Sequence, residues 1–140
     1  MRDPTDHRRS SVERHVVVVL PPRPSSASAA RELVISFCSE WHVEGLISDL
    51  SLVVTELVGN AIRHAGTDMV VRLALIEGGI RLEVHDGSTR PLRPRVAAPT
   101  DEGGRGLLLI DALSSRFGVA GEPHGKLVWA ELLVHIPVAV

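Results

Sequence analysis

The chain has 140 residues, the usual size of one domain, and its 44% hydrophobic and 23% charged residues make it too apolar for a disordered segment. Fifteen Lys and Arg against seventeen Asp and Glu give a net charge of -2, which leaves no overall basic field to gather nucleic acid or an anionic membrane. A single cysteine, Cys38, excludes an internal disulfide, a zinc knuckle and a CxxC redox pair, and fits an intracellular protein.

Residues 1–13 mix both charge signs with Pro and Ser and show no period, so they read as a disordered tail with one domain, 14–140, after it. They lack the apolar centre of a signal peptide, and the apolar run Val16 to Leu20 is too short to span a bilayer. Nothing in this reading calls for a membrane, and a cytoplasmic location is expected.

Arg14 to Leu20 holds four consecutive valines and predicts a strand, ended by Pro21, Pro22 and Pro24. Ser25, Ser26 and Ser28 then offer N-caps to a helix whose Ala30, Leu33, Val34, Phe37, Cys38 and Trp41 recur at three-and-four spacing. Cys38 and Trp41 lie on that stripe and are expected to pack in the core.

A second helix is predicted from Leu46 to His64, stopped by Gly66, with Leu46, Leu50, Val53, Val54, Leu57, Val58 and Ala61 as its buried face. MVVRLALIE and IRLEVHD alternate apolar with polar residues around Gly78 and Gly79 and predict a β-hairpin. Ser88 to Gly104 has no period and reads as a long loop. Arg105 to Leu113 is a short apolar helix, and Arg116 to Ala120 with Lys126 to Ile136 are two strands joined through GEPHG. This order argues for an α+β two-layer sandwich, with a mixed sheet of about five strands covered on one face by three helices. The basic residues are fourteen Arg and one Lys, Lys126, a skew that carries no functional argument.

Three places break the pattern. On the second helix, Glu56 and Asn60 lie one turn apart on the margin of the apolar stripe, with Asp49 two turns before Glu56. A carboxylate there can accept a proton and an amide oxygen can bind Mg²⁺, although a solvated helix edge would look the same. Asp86 ends a strand before Gly87. It can turn the chain, or it can accept a hydrogen bond from a ligand amino group. Glu102-Gly103-Gly104-Arg105-Gly106-Leu107 precedes an apolar helix and can either cradle an anion or hinge the loop before it.

The sequence has neither a GxxxxGK[ST] loop nor a strand feeding directly into the glycines, which excludes the P-loop and the dinucleotide fingerprint. The seven histidines show no zinc spacing, and no nucleophile elbow is present. His64, one turn beyond Asn60, can face the same cleft or satisfy the last helix carbonyls.

Taken together and in this order, ELVGNAIRHAG, VHDGS and GGRGLLLID resemble the N box and two glycine boxes of the Bergerat-fold, histidine-kinase-like ATPases. The short chain and the ending GKLVWAELLV are most similar to the actinobacterial anti-sigma-factor serine kinases. The resemblance implies Glu56 as catalytic base and Asn60 as the Mg²⁺ ligand. It implies Asp86 as the reader of the adenine amino group, with His64 and Ser88 also at the nucleotide. Gly104, Arg105, Gly106 and Leu107 would line the phosphates beneath a lid formed by Ser88 to Gly103.

The implied cofactors are ATP and Mg²⁺. The implied partners are an anti-sigma-factor antagonist phosphorylated on serine, a sigma factor that the chain sequesters, and a second copy of the chain. Transcription would be regulated without direct contact to nucleic acid. A non-catalytic binding module of the same fold, or a detached histidine-kinase ATPase domain, are the alternatives. The chain departs from the family pattern where Ser88 and Arg90 stand at glycine positions. It departs again where Lys126 and Leu127 hold positions at one of which a threonine is common.

Overall fold

The computed structural model describes residues 14–88 and 102–134, with the backbone alone for 102–106. The expected tail at 1–13, most of the expected lid, Arg90, and His135 with Ile136 lie outside the described residues. The elements are β1 (His15–Leu20), α1 (Ser25–Glu40), a single 3₁₀ turn (Glu44–Leu46), α2 (Ile47–His64), β2 (Met69–Ile76), β3 (Gly79–Asp86), α3 (Glu102–Leu113), β4 (Arg116–Glu122) and β5 (Gly125–Leu133). The five strands form one sheet in the order β1-β2-β3-β5-β4.

Helices cover one face of this sheet, as the α+β expectation had it. Every neighbouring pair is antiparallel, however, so the sheet is not the mixed one expected. The connections explain the difference. Two helices lie between β1 and β2, and crossing the molecule twice returns the chain reversed. One helix lies between β3 and β4, which therefore run the same way, but β5 folds back between them and is antiparallel to both.

The face of α2 is the centre of the core. All seven residues expected on it are buried, and they meet Val34, Phe37 and Cys38 of α1 and the inward side chains Val71, Leu73, Ile80, Leu82, Val84, Val128, Ala130 and Leu132. Each Val, Leu, Ile or Phe among them contributes about 1.5–3 kcal/mol when fully buried. The segment Glu44–His64 is long and apolar enough to cross a membrane by length and composition, and its apolar face is the one packed on the sheet.

Local departures from expectation are small. None of the serines caps α1: its N-cap position is Pro24, and the Ser26 hydroxyl instead donates to the Pro21 carbonyl at 2.6 Å, holding the strand-to-helix corner. Gly66, with φ at +61°, stops the chain after α2 as expected. The β2–β3 turn is carried by Gly78 at φ +80°, while Gly79 already belongs to β3. α3 begins at Glu102, three residues before the expected start.

The outer face of the sheet carries a ladder of charges. Glu83 receives Arg81 at 2.8 Å, His85 at 3.1 Å and Arg72 at 3.8 Å, and Glu131 receives Arg81 at 3.0 Å and Arg116 at 2.8 Å. The guanidinium carbons of Arg81 and Arg116 lie 4.3 and 5.6 Å from the ring centre of Trp129. Burial alone would raise the carboxyls of Glu83 and Glu131, but hydrogen bonds from Arg81, His85 and Arg116 and the charges of Arg72, Arg81 and Arg116 outweigh it and hold both below the ordinary value.

Candidate functional site

Chain direction assembles the site. The C-terminal half of α2, the C-terminal end of β3 and the first residues of β5 all reach the same end of the sheet, because β2 leaves that end directly after α2 and pairs with β3, which pairs with β5. The first turn of α3 follows β3 at this end. Asn60, Asp86, Lys126 and the glycines of α3 are thereby delivered from four separate elements to one rim.

Asp86 points inward, continuing the parity of Ile80, Leu82 and Val84, and its side chain is only 1% exposed. Its Oδ1 accepts the Ser88 backbone N–H at 2.8 Å. Oδ2 faces Lys126 Nζ at 3.7 Å, across the Asp86–Lys126 pair of the β3–β5 register. The next amide, that of Gly87, donates to Thr67 Oγ1 at 2.9 Å, so the short link between α2 and β2 clasps the end of β3. Gly125 permits this packing, since a Cβ there would lie 1.8 Å from the Asp86 carbonyl oxygen.

Lys126 is 4% exposed, and its Nζ has no hydrogen-bond partner. Burying an ammonium with all three N–H groups unsatisfied is costly, so the group is set for an acceptor that comes from elsewhere. Asn60 is likewise buried. Its Oδ1 accepts from Arg63 Nη2 at 2.7 Å, and its Nδ2 is a second buried donor without a partner.

Glu56 is half-buried one turn before Asn60, and Asp49 is exposed. His64 is the exposed last residue of α2. Ser88 is buried beside Asp86. Gly104, Arg105 and Gly106 are wound into the first turns of α3 rather than preceding it, and Leu107 packs half-buried against the core. Among the described residues, no cluster of His, Cys, Asp and Glu is built to hold a metal. Mg²⁺ needs no such cluster when phosphate and water supply most of its oxygens, and one amide oxygen such as Asn60 Oδ1 suffices once Arg63 moves aside. The unsatisfied donors and the buried Asp86 acceptor fit a ligand that carries both acceptors and a donor, as a nucleotide does.

Residues 20–132 match the family model described as histidine kinase-like ATPase domain. The chain belongs to this family. The fold is similar to part of the crystal structure of the RsbU and RsbW domains of Rv1364c from Mycobacterium tuberculosis, at a TM-score of 0.66 and 20% identity, over 88% of this chain and 33% of that one. It is shared with the histidine kinase domain of a blue-light activated histidine kinase from Erythrobacter litoralis, at a TM-score of 0.52 and 16% identity, over 82% of this chain and 62% of that one. The chain thus spans about a third of the Mycobacterium chain it matches. An alignment 70 positions long, which takes in 46% of this chain and 67% of the other, is 44% identical to the uncharacterised protein SCO4941 of Streptomyces coelicolor.

Arg63, Thr67 and the pairing of Lys126 with Asp86 escaped the sequence reading. One signal for Lys126 was available: in the alternation Lys126, Val128, Ala130, Leu132 it has the parity of the buried face.

Proposed function

We propose that the chain is an ATP-binding regulator of the anti-sigma type, which transfers the terminal phosphoryl group of ATP to a serine of an antagonist protein and binds a sigma factor when the antagonist is absent. The observation that carries the reading is the rim itself: a buried carboxylate acceptor at Asp86 stands with two unpartnered buried donors, Asn60 Nδ2 and Lys126 Nζ, in a fold of this family.

In this reading Asp86 Oδ2 accepts a hydrogen bond from the adenine amino group; the first turn of α3, where the Gly104 amide has no intrahelical acceptor, offers N–H groups and the positive helix end to the phosphates, with Arg105, Gly106 and Leu107 next along the helix. Asn60 Oδ1 would hold Mg²⁺, which when bound neutralises charge on the phosphates. Glu56 takes the proton of the serine hydroxyl as its oxygen attacks the terminal phosphorus; the bond to the bridging oxygen breaks and ADP leaves. An ATP-using regulator of this kind works in the cytoplasm, and a second copy of the chain is a natural partner.

A second reading has a specific observation in its favour. Lys126 stands opposite the Asp86 acceptor and Arg63 holds the Asn60 oxygen, so a binding module whose ligand-facing oxygens are already engaged from within is the competing account. Thermal denaturation with and without Mg-ATP tests the first step, since a ligand at one hundred times its Kd adds about 2.7 kcal/mol of stability. Radiolabelled ATP with candidate antagonists tests the second. Acid-stable phosphoserine on the partner supports the kinase, a stable complex without label supports the module, and acid-labile label indicates a histidine-kinase domain acting in trans.

A further inference from the structure

Lys126 is the only lysine among 140 residues, in a chain that otherwise uses arginine for every side-chain cation of its basic set. It is also buried, and arginine would not serve in its place: a guanidinium carries five donors in a rigid plane, whereas an ammonium is compact and can aim one N–H at a single acceptor. From Nζ to Asp86 Oδ2 is 3.7 Å, longer than a hydrogen bond, so the two charges face each other without either group's bonding capacity being used up. The inward rim of the sheet therefore presents one acceptor and one donor side by side. Asp86 Oδ1 is already engaged by the Ser88 amide, which leaves a single carboxylate oxygen facing the donor.

We infer that Lys126 is a second base-reading residue, which donates from Nζ to the ring nitrogen adjacent to the exocyclic amino group of adenine while Asp86 Oδ2 accepts from that amino group. The inference rests on the nucleotide reading above and adds a specificity-determining contact to it. An adenine edge offers one donor beside one acceptor, which complements this pair. A guanine edge places two donors next to its O6 acceptor, and pairing both donors together with O6 would need both carboxylate oxygens, one of which the Ser88 amide holds. The Lys126 contact also gives the buried ammonium a hydrogen-bond acceptor, so base binding reduces a penalty that the free protein carries.

The experiment is calorimetric titration of the full chain with ADP and with the ADP analogue in which that ring nitrogen is replaced by C–H. Wild type should bind the analogue about tenfold to a hundredfold more weakly than ADP, the worth of one hydrogen bond from a charged donor. Lys126→Met should bind the two equally. A chain labelled with ¹³C at lysine gives one lysine side-chain signal, which should move on saturation with ADP in the unaltered protein; this readout needs no variant and survives a poorly folded Lys126→Met. Equal affinity of wild type for both ligands, or an unmoved lysine signal at ADP saturation, overturns the role of Lys126 while leaving the nucleotide site standing. Tighter ADP binding by Lys126→Met overturns it too, by showing that the lysine plugs the pocket. Absence of ADP binding to wild type overturns the nucleotide reading and this inference together.

Discussion

Gly118 lies directly across from Trp129 in the β4–β5 register, and a Cβ built on it would stand 2.8 Å from the indole. The ring cannot retreat freely, because Arg81 and Arg116 lie against it and are themselves bonded to Glu131. Gly118→Ala should destabilise the fold by about 1–3 kcal/mol, the usual cost of overpacking. Urea denaturation followed by tryptophan fluorescence checks this, and an unchanged midpoint would show that the indole has room.

The same ladder should contribute to the acid limit of the protein. Glu83 and Glu131 are held below the ordinary carboxyl value of 4.5, so the folded state binds protons less readily than the unfolded one. Their contribution is complete above the unfolded value and is lost as the pH falls below about 4.5 through the lower folded values. Glu83→Gln should flatten the acid limb of a stability-against-pH curve. A curve that keeps its slope in Glu83→Gln would assign the acid transition to other carboxylates.

Breaking the buried pair at the site should be costly from either side. Asp86→Asn and Lys126→Met each leave one charge buried and unpaired, with an expected loss of about 3–5 kcal/mol in each case. The double variant should recover part of that loss, giving a coupling of about 1–3 kcal/mol in a double-mutant cycle. Additive losses would mean that the 3.7 Å separation leaves the two charges independent.

For catalysis the discriminating residue is Glu56. Glu56→Gln preserves volume and helix propensity but takes no proton, so ATP should bind as before while transfer to a serine partner falls by roughly a hundredfold to ten-thousandfold. Transfer within about twofold of wild type would make Glu56 an ordinary helix-edge residue.

The Cys38 thiol, pushed up to about 11 by burial and then by the charge of Glu44, should resist alkylation in the folded state at pH 8. It should react promptly once urea unfolds the chain, which makes its labelling rate a measure of opening. Rapid labelling of the native protein would show that α1 opens locally.

The helices were legible from the sequence because their information is local. The stripe from Leu46 to Ala61 needs only a period of three and four, and all of it is buried where expected. The β2–β3 hairpin was legible for the same reason, through alternation on both sides of Gly78. Strand order was not, because the placement of β5 between β3 and β4 depends on pairing between residues about forty apart, such as Asp86 and Lys126. The caps failed differently: Ser26 has the right chemistry for an N-cap, but burial turned its hydroxyl toward Pro21. At the site, individual residues stood out from the pattern, whereas the contacts of Asp86 with Lys126, and of Asn60 with Arg63, follow from packing that spacing cannot express.

The direction of the strands has a consequence for how the domain can be joined to others. Arg14, where the described chain enters, has its carbonyl bonded by the Leu75 amide, and Val134, where β5 has ended, donates to the Gly78 carbonyl. Both lie at the rim opposite Asp86, next to the exposed turn of Glu77 and Gly78. A neighbouring module spliced on at either point, or a fluorescent reporter placed in that turn, would sit across the full length of the sheet from the rim of Asp86 and Lys126 and leave its approach clear.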